Sequence, residues 1–379
     1  MKRKILYIID NITFGGGERG FAQIINNINK DKFEIYAACL HSGLFVDRIK
    51  DKANIIPLDL TNQLNLFNIF KIIKIIRDNN IDIVHSQGSR ADFYSRIASR
   101  LTRHNNLPAV VCTVQMPPEG FDVGIIKKVI YVGIDRLTER FVDRFTVVSK
   151  ALEKCLIEIH KIPINRVKLI NNGIETGEYE YNNEAAEKIR AELGIEKDTV
   201  LIGTIGRLVW QKGLEYFIDA VDILSQKFTD LNQNVKFLVV GEGPMRKNLE
   251  IRVKNLGLTN RVIFAGFRKD IKEILCALDL LVMASVLEGQ PMILLEGMAV
   301  GKAIVATDIE GINETVVNGV SGLLAPPKNP KLLADTIISL VKDENKRRQM
   351  GINARRIVEE KFDFSKIVRQ YEYLYDQSL

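Results

Sequence analysis

The stretch Val200–Gly213, VLIGTIGRLVWQKG, reads as a buried strand that runs straight into a turn bounded by Gly206 and Gly213. A short, continuous apolar run closed by glycine suits a strand covered on both faces, as strands of parallel sheets are. The same punctuation recurs along the chain. Short β-branched runs at Lys4–Ile9, Glu34–Leu40, Ile81–His85, Ala109–Val114 and Phe145–Val148 alternate with longer stretches of helical period. A second series follows at Val200–Ile205, Lys236–Val240, Val262–Phe264, Leu280–Met283 and Ala303–Ala306. The alternation predicts an α/β protein with parallel sheets and helical crossovers, one doubly wound sheet for each series.

Length and composition agree with two domains. A chain of 379 residues, 46% of them apolar, exceeds what one core usually organises. Hydrophobic period is lost after Lys168–Ile174 and through Glu175–Glu184, so the expected domains are residues 1–175 and 176–362. Beyond them, Asp363–Tyr375 carries Phe364, Ile367, Val368, Tyr371 and Leu374 at helical spacing, which predicts a terminal helix with an apolar face to bury. Lys2, Arg3 and Lys4 followed by Ile5–Ile9 imitate a signal peptide, but Asp10 ends the run early and a first strand is expected instead. Nothing approaches the roughly 18 apolar residues of a membrane span. Four dispersed cysteines give neither a zinc site nor a disulfide framework, and a cytoplasmic location is expected. The net charge of +6 is uneven: residues 1–175 hold 26 Lys+Arg against 18 Asp+Glu, and the rest 27 against 29. No aromatic stacking motif accompanies the basic half, which argues against a nucleic-acid partner.

Three segments could carry chemistry. After the first strand comes Gly15-Gly16-Gly17-Glu18-Arg19-Gly20 and then Phe21, Ile24, Ile25 and Ile28 on a helix. The glycines fit a dinucleotide-binding turn in outline, but Asp10–Phe14 makes the turn too long and Glu34–Leu40 ends without the acid that a ribose needs. A glycine loop that lets another anion or sugar come close is the better reading. In the second half, Arg207 and Lys212 lie five apart in the glycine-bounded turn, where guanidinium and ammonium suit a diphosphate; a solvated basic turn is the plainer alternative. The third segment follows Leu280–Met283. Glu288 precedes Gly289, Gln290 and Pro291, and proline suits the first turn of a helix, so the amides from Gly289 through Met292 to Ile293 would face an anion or sugar oxygens. Glu296 sits on that helix among Ile293, Leu294, Leu295, Met298 and Ala299, and should therefore have a hydrogen-bonding partner such as ligand hydroxyls.

In combination, Gly206-Arg207 with Lys212-Gly213, the Glu288-Gly-x-Pro turn and Glu296 resemble the retaining glycosyltransferases of family 4, also called group 1. The glycine loop at Gly15–Gly17, Val148-Ser149-Lys150, Asn172-Gly173-Ile174 and the terminal helix are similar to the same family, so the resemblance spans the chain. It implies the GT-B fold, two facing Rossmann-like domains, with the terminal helix packed back on the first. It also implies a nucleoside-diphosphate sugar, UDP in most members, as the donor of a hexose or N-acetylhexosamine to a saccharide or lipid-linked acceptor in surface polysaccharide synthesis. Arg207 and Lys212 would hold the diphosphate and stabilise its leaving charge, with Gly206 beside them. Glu288, Gly289, Gln290, Pro291, Met292 and Ile293 would grip the sugar, and Glu296 the ribose. Gly16 and Gly17 would meet the phosphates or the acceptor. Glu18, His85 and Gln115 are the acceptor-side candidates. No Asp-x-Asp metal motif is present, so cations of the chain would replace a metal and no cofactor is expected.

Two departures stand out. Gln115 takes the place where many relatives have a histidine, and Gln290 offers an amide where an apolar residue is common. The stretch Ile125–Phe145, with Ile126, Val129, Ile130, Ile134, Leu137, Phe141 and Phe145 on one helical side and Lys127, Lys128, Arg136, Arg140 and Arg144 nearby, suits docking on anionic lipid at the inner membrane face. Arg90, Arg96, Arg100 and Arg103 would add to that basic face. The alternatives are a core-facing helix there, and for the whole chain a sugar-nucleotide epimerase of the same fold or a silent partner subunit.

Overall fold

The computed structural model describes residues 2–10, 15–62, 65–102, 107–116, 125–230 and 234–378. The chain divides into two compact units, Met1–Gly173 with Phe364–Leu379, and Ile174–Asp363.

The first unit is built on a seven-stranded sheet. Its strands are β1 (Arg3–Ile9), β2 (Phe33–Cys39), β3 (Asn54–Pro57), β4 (Ile83–Gln87), β5 (Ala109–Val114), β6 (Arg144–Val147) and β7 (Val167–Leu169), in the order β3-β2-β1-β4-β5-β6-β7. Every pairing is parallel. The crossovers carry α1 (Gly16–Asn27), α2 (Leu44–Ile49), α3 (Phe67–Asn79), α4 (Ser89–Leu101), α5 (Ile125–Glu139) and α6 (Lys150–Lys154). Because β1, β2, β4 and β5 are covered on both sides, almost every residue in them is buried, and the sequence shows runs rather than alternation.

The second unit opens with α7 (Asn183–Glu192) and holds a six-stranded sheet. Strands β8 (Val200–Ile205), β9 (Val235–Val240), β10 (Val262–Gly266), β11 (Leu280–Met283), β12 (Ala303–Thr307) and β13 (Gly322–Ala325) are ordered β10-β9-β8-β11-β12-β13, again all parallel. Helices α8 (Leu214–Asp230), α9 (Arg246–Asn255), α10 (Ile271–Ala277), α11 (Met292–Ala299), α12 (Pro330–Val341) and α13 (Glu344–Lys361) complete it. Two apolar cores flank this sheet, one around Leu201, Leu281 and Leu295 and the other around Phe217, Phe237 and Ile337.

Helix α14 (Phe364–Asp376) belongs to the first unit, where Phe364, Ile367, Val368, Tyr371, Leu374 and Tyr375 join the core of Tyr7, Phe21 and Phe33. Polar contacts fix its register: the Tyr375 and Tyr7 hydroxyls lie 2.9 Å apart, and Tyr375 Oη is 2.6 Å from His85 Nδ1. The other ring nitrogen of His85 meets Thr113 Oγ1 at 2.7 Å. Strand β4 is central, so its final residues point alternately into the two layers, and His85 falls in the layer of α1 and α14 with no exposure. The strand-end position that suggested a role toward an acceptor is thus a core position, with both ring nitrogens occupied by the fold.

Burial holds the His85 imidazole down to about 3, against 6.5 when free. An unfolded chain takes up a proton below pH 6.5 that the folded chain refuses until about pH 3. The stabilising contribution is therefore complete above pH 6.5 and is lost on acidification, at about 1.4 kcal/mol per pH unit. His85→Gln should be less stable than wild type at pH 7, and the gap should narrow by about 2 kcal/mol by pH 5. Urea unfolding of both proteins at the two pH values checks this; a constant gap would refute it.

The amphipathic stretch differs from expectation. Helix α5 ends at Glu139 because the chain turns through Thr138–Val142 to enter β6, so Phe145 is a buried strand residue rather than part of a helical face. Ile134 and Leu137 are exposed, whereas the side chains of Ile126, Lys127, Lys128, Val129 and Ile130 lie outside the described residues, as does Arg103. The arginines of α4 are largely engaged. Arg96 is buried and ion-paired with Asp135 at 2.5 Å and with Asp92 at 3.7 Å, while Arg90 pairs with Asp10 and Arg100 with Asp143. Among the described residues no helix is long and apolar enough to cross a membrane.

Candidate active site

In both sheets the winding reverses beside the first strand, between β1 and β4 and between β8 and β11. Loops leave such a switch point in opposite directions and open a crevice at the carboxyl ends of the strands. The glycine loop lies at the first reversal, and the two acid and basic segments at the second.

At the second reversal three loops are tied by main-chain bonds. Gly206 N–H donates to Val240 O (2.9 Å), Leu208 N–H to Glu242 O (2.9 Å), Met245 N–H to Leu208 O (3.0 Å) and Val286 N–H to Gln211 O (2.8 Å). Two glycines allow this closeness. A Cβ on Gly241, at φ +133°, would lie 1.9 Å from Gly206 O, and one on Gly213, at φ +57°, would lie 2.1 Å from Ala284 O.

On this frame Lys212 Nζ donates to Glu288 Oε1 at 2.6 Å, and Ser285 Oγ donates to the same oxygen at 2.8 Å. The Glu288 side chain is 6% exposed and that of Lys212 23%, so the carboxylate is the buried anchor and the ammonium the accessible partner. Gly206, Arg207, Lys212 and Ser285 line one small pocket, and Arg207 is exposed. The arrangement presents a fixed point charge beside a guanidinium, a pair suited to phosphate oxygens. Helix α11 starts after Pro291 and directs the positive end of its dipole at this edge. Glu296 is 2% exposed on α11. Gln290 turns inward, where its amide donates to Thr315 Oγ1 at 3.3 Å.

At the first reversal Gly15 caps α1, Gly16 and Gly17 form its first turn, and the Glu18 carboxylate accepts the Gly15 N–H at 2.8 Å. Glu18 thus serves its own helix. Gln115, just after β5, donates to Asn172 Oδ1 (3.2 Å) and to Gln87 Oε1 (3.3 Å) and accepts from Asn172 Nδ2 (3.1 Å). The structure therefore gathers Gly206, Arg207, Lys212 and Glu288 in one unit, and Gly17 with Gln115 in the other. Ser285 and Gln87 escaped sequence reasoning, and Asn172 entered it only through the family resemblance, without a role. Of the two that escaped, Gln87 carried a signal, as a polar residue closing an apolar strand.

Residues 14–178 match the family model described as Glycosyltransferase Family 4, and residues 185–357 match that of Glycosyl transferases group 1. The chain belongs to the group 1 glycosyltransferases of family 4. It is 26% identical over 99% of its length to an Escherichia coli UDP-Gal:alpha-D-GlcNAc-diphosphoundecaprenol alpha-1,3-galactosyltransferase, 97% of which is covered. It is 32% identical over 60% of its length to an uncharacterized glycosyltransferase of Methanocaldococcus jannaschii, of which the match spans 58%. Among solved structures, Anabaena HepE in complex with UDP-glucose superposes with a TM-score of 0.84 at 25% identity, covering 98% of this chain and 99% of that one. As a GT-B glycosyltransferase, the chain has its two sheets wound in one pattern, and the paired loops at β8 and β11 carry its charged cluster.

Proposed function

We propose that this glycosyltransferase moves a hexose or N-acetylhexosamine, with retention of configuration, from UDP to a lipid-linked saccharide in surface polysaccharide synthesis. The observation that carries the proposal is the Lys212 ammonium held 2.6 Å from buried Glu288 beside Arg207, at the carboxyl edge between β8 and β11. The bond from the sugar C1 to the diphosphate oxygen breaks, and a bond from C1 to the acceptor oxygen forms. The acceptor proton passes to an oxygen of the leaving diphosphate, whose growing charge Lys212 and Arg207 stabilise. Glu288 keeps Lys212 in place, the first turn of α11 receives the donor sugar, and Glu296 receives the ribose hydroxyls. In this reading no metal is required. The choice of a UDP-sugar and a lipid-linked acceptor is supported by the activity for which the E. coli relative is named.

The acceptor side has its own support. Leu66, Phe67 and Phe70, at the start of α3, are 57%, 73% and 67% exposed, with Lys71 and Lys74 following on the helix. Helix α3 leaves the carboxyl end of β3, so this patch borders the edge that carries the glycine loop. Exposed aromatics beside lysines suit the interface of an anionic bilayer. Replacing Phe67 and Phe70 by serine should weaken binding to phosphatidylglycerol vesicles more than tenfold, since each buried aromatic is worth about 1.5–3 kcal/mol. Co-sedimentation measures this, and unchanged binding would remove the patch from the account.

The activity test incubates the enzyme with UDP-glucose, UDP-galactose or UDP-N-acetylglucosamine and a polyprenyl-diphosphate-linked saccharide, with and without EDTA. Transfer from one donor that survives EDTA and gives an α-linked product by NMR is expected. Hydrolysis or epimerisation without acceptor would point to the other reactions of the fold.

A further inference from the structure

We infer that Gln87 is a substrate-binding residue that donates a hydrogen bond, from Nε2, to an oxygen held at the first turn of α1. The inference rests on the glycosyltransferase reading above and adds a residue that the motifs do not mark.

Gln87 closes β4 between β1 and β5, in register with Ile9 and Thr113, and is 6% exposed. The orientation of its amide is coupled to those of its neighbours. Gln115 and Asn172 exchange reciprocal amide bonds of 3.2 and 3.1 Å, so flipping either alone would set nitrogen against nitrogen and oxygen against oxygen. The Gln115 nitrogen has a second proton, which goes to Gln87 Oε1 at 3.3 Å. In this network Gln87 Nε2 points away from Gln115. It faces Gly17, where a Cβ would stand 3.1 Å from it.

Among the described residues, nothing accepts a hydrogen bond from Gln87 Nε2. Gln87 is 6% exposed as a residue, but its nitrogen is not sealed off, so an oxygen can reach it, and a largely buried amide with no protein acceptor gains from such a partner. Gly17 is the second residue of α1, where main-chain N–H groups also lack helical acceptors. Two kinds of donor thus converge where glycine leaves room, and the chemistry they fit is an oxygen acceptor. A phosphoryl oxygen of the sugar donor and a hydroxyl or phosphate oxygen of the acceptor both qualify. Gln115 and Asn172 act through Gln87 as positioning residues. No member of the trio titrates near neutrality, so recognition here should not change with pH.

The test compares steady-state kinetics of wild type, Gln87→Glu, Gln87→Met and Asn172→Asp, varying sugar nucleotide and saccharide acceptor separately. Gln87→Met and Gln87→Glu should raise KM for one substrate at least tenfold and leave the other KM within twofold. The substrate affected identifies the oxygen. Asn172→Asp, which breaks the reciprocal pair, should raise the same KM by a smaller factor. Gln87→Met introduces no buried charge and keeps the test valid if Gln87→Glu folds poorly. If wild type transfers sugar and Gln87→Met retains both KM values within twofold, the assignment of Gln87 is wrong while the transferase reading stands. If wild type transfers no sugar, both fall.

Discussion

Replacing Lys212 by methionine should lower kcat/KM roughly 10²–10³-fold, the scale on which loss of one preorganised donor to a developing oxyanion is felt. Two consequences need separating. The ammonium that meets the leaving diphosphate is gone, and Glu288, 6% exposed, loses its cation while keeping only the Ser285 hydroxyl among the contacts described at Oε1. A buried carboxylate stripped of its partner costs about 3–5 kcal/mol where burial is complete, and less here because Lys212 itself is partly solvated. The double variant Lys212→Met with Glu288→Gln removes the unpaired charge. It should recover most of the lost stability in urea unfolding and none of the lost activity. If activity returned with stability, Lys212 would be a structural residue only.

Gly311→Ala should destabilise the second unit by about 3 kcal/mol or more, a fall in Tm on the order of 6–12 °C for a unit of this size. At φ +83° the added Cβ would lie 1.8 Å from Gly289 O and 3.1 Å from Glu288 O, both main-chain atoms of the loop that carries the acid. That loop would have to move, so surviving protein should also lose affinity for the sugar nucleotide. Gly319→Ala is the control. Its φ of +79° imposes similar backbone strain, but nothing lies within 4 Å of the new Cβ. The expected cost there is about 1–2 kcal/mol with unchanged binding. Equal losses in differential scanning calorimetry would show that strain, not the approach of the two loops, decides the effect.

Much of the fold was legible because central parallel strands announce themselves. The runs at Ala109–Val114, Val200–Ile205 and Leu280–Met283 are the observed strands residue for residue. The strands that escaped are β3, β7 and β13, each three or four residues long and each at a sheet edge. With one neighbour and partial exposure, an edge strand needs few apolar residues and leaves little pattern. Val167–Leu169 even fell where the boundary between domains was expected, because Lys168 faces out from a strand too short to show a period.

The site divides along similar lines. That Arg207, Lys212 and Glu288 share one edge follows from strand ends and glycine spacing, both visible in sequence. That Ser285 joins Glu288 depends on how a loop of three residues turns its side chains, and that Gln87 is oriented with Gln115 and Asn172 depends on side-chain directions across residues 28 to 57 apart in the chain, which no local pattern encodes. His85 shows the converse. It stands near a strand end, as site residues do, but the alternation of a central strand turns it toward Tyr375 and the core. Arg96 likewise reads as a surface cation and proves to be a buried tie between α4 and α5.

Titration calorimetry with UDP, GDP and ADP, using wild type, Arg207→Ala and Glu296→Ala without added metal, tests the central claim most directly. The account predicts that one nucleoside diphosphate, UDP, binds wild type, and that both substitutions weaken it at least tenfold. Binding that is indifferent to both substitutions, or no binding of any nucleotide, would contradict the placement of the donor at the β8 and β11 loops.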